Sequence, residues 1–156
     1  MTSEEILNKI KEWCFSQTET TYKDHNLFQK CLVDFLRENG WDSYIEYEVE
    51  NFSSLSARTG KIKDKIGFID IVGFGYNKKL VIEYDTANTM KFVSICKLFC
   101  SNANFLIGIF RGKRGKPFLV YENKVKIKKI ARELGFVDKS IFIIALENKI
   151  AESIHI

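Results

Sequence analysis

The sequence predicts a mixed α/β domain in which a central sheet is flanked by helices. Three observations carry this. Helical spacing of apolar residues opens the chain, three strand-length segments occupy its middle, and helix and strand alternate again after residue 88. With 156 residues, 46% of them hydrophobic and 28% charged, the chain has globular composition and room for one domain. A single proline and nine glycines leave no place for a linker or a low-complexity stretch.

Ile6, Ile10, Trp13 and Cys14 recur at intervals of three and four, which predicts a short amphipathic helix over 3–15. The polar run 16–22 is expected to be a loop. Asp24 is placed to cap a second helix that reaches Asn39, with Leu27, Phe28, Cys31, Leu32, Phe35 and Leu36 on its apolar side. Gly40 stands where a left-handed residue would end it. Residues 43–50 alternate, with Ile45, Tyr47 and Val49 on the buried face of a strand and Glu46, Glu48 and Glu50 outward. A polar segment over 51–65 precedes an apolar strand at 66–74, a tight turn at 75–79 and a returning strand at 80–84.

Helical spacing resumes from Asn88 to Cys100, with Met90, Val93, Cys96, Lys97 and Cys100 on or near one face. Phe105–Phe110 is wholly apolar, as a strand covered on both sides should be. A basic loop over 111–117 leads through 118–121, left between strand and helix, into a helix over 122–134 with Val125, Ile130 and Leu134 inward. A further buried strand follows at 140–146, and the tail is unassigned.

Global counts exclude several classes. No apolar run is long enough to span a bilayer, and the acidic opening segment does not read as a signal peptide. The four cysteines form no CxxC pair, so buried free thiols in a reducing cytoplasm are expected. A net charge of +4 is too small to identify a polyanion binder. Its distribution is more informative, because acids and bases separate along the chain.

Asp70 lies inside one apolar strand, and Glu83 and Asp85 lie in the next. A carboxylate in such a run needs a partner, since burying it unpaired costs several kcal/mol. The turn near Tyr76–Lys78 would set Asp70 roughly opposite Glu83. Two like charges at that distance require a cation or a proton between them. Hard oxygen donors suit Mg²⁺ or Mn²⁺. The structural alternative pairs the same acids with Lys61, Lys63, Lys65 or a helix N-terminus.

The run GFIDIVGF, a turn, LVIEYD and a following helix resembles the core of the PD-(D/E)XK nuclease superfamily. From Asp24 to Phe110, roughly half of the chain, the expected order is similar to that family's αβββαβ core. The resemblance implies a restriction-endonuclease-like fold with residues 111–156 as a basic C-terminal part, and a metal-dependent nuclease. Asp70 and Glu83 match its first two acids, and Asp85 stands where the triplet has lysine. That departure leaves three possibilities: Lys91 supplies the lysine from the next helix, Asp85 ligates a second metal, or catalysis is lost. Where some members carry a glutamate on the first core helix, this chain has Gln29, and Glu46 or Glu48 could provide the extra acid instead. Capping or exposure is the favoured role for His25 over an approach to the acids. Lys97 is assigned none.

The bases are expected to hold nucleic-acid phosphates: Lys61 and Lys63 ahead of the acid-bearing strand, Arg111, Lys113, Arg114 and Lys116 in the loop, and Lys124, Lys128 and Arg132 on one helical face. A solvated lysine-rich helix is the alternative for the last three. The expectation is therefore a cytoplasmic, non-membrane nuclease of DNA. Asp70, Glu83 and Asp85 would hold Mg²⁺ or Mn²⁺, and Lys91 would act beside them. A homodimer is expected if both strands are cut. The alternative is a silent DNA-binding or assembly module of the same fold.

Overall fold

Eleven elements follow one another in the computed structural model, which describes residues 2–156 apart from the side chains of Glu50 and Asn51. The outward placing expected of Glu50 lies outside those described side chains. Helix α1 (Ser3–Ser16) starts at Thr2, whose hydroxyl accepts from Glu5 N–H while the Glu5 carboxylate accepts from Thr2 N–H. It buries Ile6, Ile10 and Cys14. The expected loop after it contains one short helix, α2 (Glu19–Tyr22). Helix α3 (His25–Glu38) is capped by Asp24, which accepts from Leu27 N–H, and it ends before Gly40 at φ 87°.

Strands β1 (Asp42–Leu55), β2 (Ile62–Gly75), β3 (Lys78–Asp85), β4 (Phe105–Phe110), β5 (Ser140–Ala145) and β6 (Ile150–His155) form one mixed sheet in the order β1-β2-β3-β4-β5-β6. Strands β3, β4 and β5 run parallel, joined by α4 (Phe92–Cys100) and α5 (Phe118–Leu134). The run from α3 to β4 is therefore α, β, β, β, α, β, and the α/β class with helices flanking a mixed sheet is as predicted. Helices α4 and α5 cover one face, packed on Val81, Phe110, Ile141 and Ile143. Helices α1 and α3 cover the other, over Ile71, Ile82, Ile107 and Ile109. Strand β4 is buried along its whole length between these layers.

Several expectations needed correction. The polar segment 51–65 is largely strand, because β1 runs to Leu55 and β2 begins at Ile62, forming a long hairpin arm with a register shift between Val49 and Phe52. Ile45 and Tyr47 are each 41% exposed, so the alternating face of β1 is not buried. Strand β1 is an edge strand, and Glu46 sits at φ 55°, a conformation that interrupts two-residue alternation. Helix α4 starts at Phe92, four residues later than its apolar spacing indicates. Helix α5 takes in 118–121 and turns Leu119, Ile127 and Ile130 inward, while Val125 is 50% exposed. The unassigned tail forms β6, antiparallel to β5. No helix among the described residues is long and apolar enough to cross a membrane.

Candidate active site

The β2–β3 hairpin turns at Tyr76 and Asn77, both at positive φ (53° and 59°), the geometry of a two-residue turn that matches strand twist. From there the ladder runs only to Ile71↔Ile82. Beyond that pair β2 parts from β3, and the next two residues, Asp70 and Glu83, face each other across the opening. A fork of this kind leaves backbone groups without ladder partners, and buried ones must be satisfied in another way. Side chains do it here. Tyr84 N–H donates to Asp70 Oδ2 (2.7 Å), and Asp70 N–H donates to Glu83 Oε2 (3.3 Å). Gln29 from α3 donates to the Asp70 carbonyl (2.9 Å), and Lys97 from α4 donates to the Phe68 carbonyl (2.8 Å). His25 Nε2 lies 3.1 Å from the Tyr84 carbonyl and 3.4 Å from Asp70 Oδ2. Since a carbonyl can only accept, that nitrogen carries its proton.

The fork opens into a cavity of about 370 Å³ lined by His25, Asp70, Glu83, Asp85, Lys91 and Lys97 among others. Glu83 is 1% exposed, and its Oε1 forms an ion pair with the Lys97 ammonium. Burial, then the hydrogen bond and charge of Asp70, raise the Glu83 pKa well above the usual carboxylate range, against the opposing pull of Lys97. Burial acts on Asp70 in the same sense, but hydrogen bonds from His25, Glu83 and Tyr84 N–H outweigh it and hold its pKa low. The hydrogen bond to Asp70 outweighs partial burial at His25 and raises its pKa.

Asp85 is engaged differently. Its Oδ2 accepts from Lys91 N–H (2.9 Å) and its Oδ1 from the Ser94 hydroxyl (3.1 Å), so it closes the first turn of α4. This capture explains the late start of that helix. Asn123 of α5 fixes the preceding residue by accepting from Met90 N–H (2.9 Å), and Lys126 donates to the Met90 carbonyl (2.6 Å).

The lysine on the acids is therefore Lys97, to which the sequence alone assigns no role. Lys91 is exposed at the rim, and it is the Lys91 backbone N–H that bonds to Asp85. A lysine on an otherwise apolar helical face was the available signal for Lys97. His25 also belongs to the site rather than to a cap. Glu46 and Glu48 are exposed and do not line the cavity. Among the described residues no three His, Cys, Asp or Glu side chains form a ready metal cage.

No family model matches this chain, and none of the curated proteins does. One solved structure, "Crystal structure of SSO0001", is similar over 99% of this chain and 78% of its own, at 16% identity and a TM-score of 0.33. A likeness of that degree carries no argument about the site.

The basic residues divide by position. Lys61 and Lys63 line a second cavity of about 560 Å³ between the β1–β2 arm and the start of α4, together with Arg58, Lys65 and Lys91. Lys91 and Val93 border both cavities. Arg111 instead pairs with Glu19 and Glu147, tying α2 to the β5–β6 turn, and Lys124 pairs with Glu152. Lys113, Arg114 and Lys116 are exposed in the loop before α5, and Lys128 and Arg132 are exposed on that helix. None of these lines either cavity at the fork.

Proposed function

We propose that this protein hydrolyses nucleic-acid phosphodiester bonds with the help of a divalent cation held by Asp70 and Glu83. The observation that carries the reading is the pair itself: two carboxyls brought together at a fork, one of them 1% exposed and held against a lysine ammonium. The donor set fits Mg²⁺ or Mn²⁺. It consists of hard oxygens, the two carboxylates and the nearby Tyr84 carbonyl, with no thiolate among the cavity's lining residues. When bound, such an ion lowers the pKa of a coordinated water and neutralises charge on a phosphate oxygen.

The chain's own groups do the remaining work. Lys97 balances the charge of Glu83 and presents an ammonium beside the place where a phosphate would sit. His25 holds Asp70 and the Tyr84 carbonyl in position and keeps a proton at Nε2. Asp85 fixes the start of α4 and so the direction from which Lys97 approaches. The resemblance to the PD-(D/E)XK nucleases agrees with this division, with the helix lysine in place of the triplet lysine. Four free cysteines suit a reducing compartment, and we place the protein in the cytoplasm.

One observation favours a second reading. The Lys97–Glu83 ion pair and the Tyr84–Asp70 hydrogen bond engage both acids without a metal, as a silent DNA-binding module of the same fold would require. The test is incubation with linear, supercoiled and branched DNA in Mg²⁺, Mn²⁺ or EDTA, beside Glu83→Ala. Metal-dependent cutting that the variant loses supports hydrolysis. Binding without cutting on any substrate replaces it with the silent module.

A further inference from the structure

We propose that the cavity between the β1–β2 arm and α4 is the track for one strand of nucleic acid, so that the substrate enters the acidic fork single-stranded. This rests on the hydrolytic reading for its purpose but not for its test. Lys61, Lys63 and Lys65 alternate along the approach to β2 and its first residues, and all three turn toward the same cavity. Alternate residues of a strand are about 6.6 Å apart, comparable to the separation of successive phosphates along one backbone. Arg58 at the hairpin tip and Lys91 at the start of α4 complete a set of five cations.

The cavity's lining contains no carboxylate, and none of the five cations takes part in an ion pair among the described residues. They are therefore available to an outside anion. Ser54, Ser56 and Thr59 add hydroxyl groups along the same wall. Half-buried Phe92, whose ring has the Lys126 ammonium 5.6 Å from its centroid, adds an aromatic group to the lining, the second element of single-strand recognition.

Size and position select the ligand. A volume of about 560 Å³ takes the bulk of one or two nucleotides, and the single row of three lysines follows one backbone. An acidic peptide would satisfy the lysines. It would bring no phosphodiester to Asp70 and Glu83, which lie next to the track across Lys91 and Val93.

The experiment is fluorescence anisotropy with a labelled single-stranded oligonucleotide and the matched duplex, as DNA and as RNA, in EDTA so that no cleavage occurs. Lys61, Lys63 and Lys65 are exposed, so Lys61→Glu/Lys63→Glu/Lys65→Glu should fold, which circular dichroism checks. The wild type should bind the single strand at least tenfold tighter than the duplex. The triple variant should weaken that binding at least tenfold and lower the salt slope by about 2, the release expected for three phosphate contacts on a single strand. Lys9→Glu/Lys30→Glu on α1 and α3 should bind as wild type. If a milder Lys61→Gln/Lys63→Gln/Lys65→Gln variant and the charge reversal both bind within twofold of wild type, the track is wrong. Equal affinity for duplex overturns it, as does an equal loss in Lys128→Glu/Arg132→Glu. If the wild type binds as proposed and cuts nothing in Mg²⁺ or Mn²⁺, the track stands and the hydrolytic reading falls.

Discussion

The Lys97 ammonium of α4 lies against the Glu83 carboxylate of β3 and also donates to the Phe68 carbonyl of β2, so one side chain spans two strands that have separated. Lys97 is 15% exposed and Glu83 only 1%. Removing one partner of such a pair leaves a buried charge without compensation, at a cost of about 3–5 kcal/mol. Glu83 can escape part of that cost by taking up a proton, since burial raises its pKa, so the lower end applies. We expect Lys97→Ala to lose about 3 kcal/mol in urea unfolding and about 100-fold in cleavage rate, the effect of removing one preorganised electrostatic group. Lys91→Ala should retain cleavage within about tenfold when saturated with substrate. A Lys91 variant as damaged as the Lys97 variant would return the role to Lys91.

Without metal, stability should depend on pH with opposite signs at the two acids. The pKa of Glu83 is raised in the folded state by burial and by Asp70, so its contribution is present at low pH and is lost as pH rises through the folded value. The pKa of Asp70 is lowered by its hydrogen bonds despite burial, so its contribution is present above the usual carboxylate range and is lost on acidification. Thermal melts in EDTA should therefore show a maximum, with decline on both sides. Glu83→Gln should flatten the alkaline side only. An unchanged alkaline decline in that variant would mean that another group titrates there.

Much of this arrangement was legible in the sequence. The turn at Tyr76 and Asn77 placed Asp70 against Glu83, because a two-residue hairpin and strict alternation leave little freedom of register. The fork was not legible. A ladder that ends early has the same apolar pattern as one that continues, and the partners that rescue its backbone groups come from distant segments: His25 and Gln29 on α3, and Lys97 on α4. Val125 misled for a related reason. Periodicity identifies an apolar stripe only when the helix start is known, and α5 begins at Phe118 rather than at 122.

Asp85 should prove structural in the first instance. Both of its oxygens accept from the first turn of α4, and loss of an N-terminal cap costs about 1–2 kcal/mol. Asp85→Asn keeps an acceptor for Lys91 N–H, so it should stay within about 1 kcal/mol of wild type, while Asp85→Ala should show the full loss. Titration calorimetry with Mg²⁺ supplies the second measurement. Asp85→Asn should bind within about threefold of wild type, and an affinity reduced as far as in Asp70→Asn would make Asp85 a metal ligand.

Gly108 on β4 pairs with Glu83 on β3, and its missing side chain is filled by Met90. A methyl group at Gly108 would lie 2.4 Å from Met90 Sδ and 2.7 Å from Cε, well inside contact distance. Met90 is fully buried and its backbone is held by Asn123 and Lys126, so only its side chain can yield. Gly108→Ala should cost about 1–3 kcal/mol through overpacking as the Met90 side chain is displaced. Met90→Ala removes the obstructing atoms. The double variant Gly108→Ala/Met90→Ala should therefore be more stable than the sum of the two single losses, by about 1 kcal/mol or more. Strictly additive losses in chemical denaturation would mean that the sheet relaxes around the methyl group and that the Met90 side chain does not take up the strain.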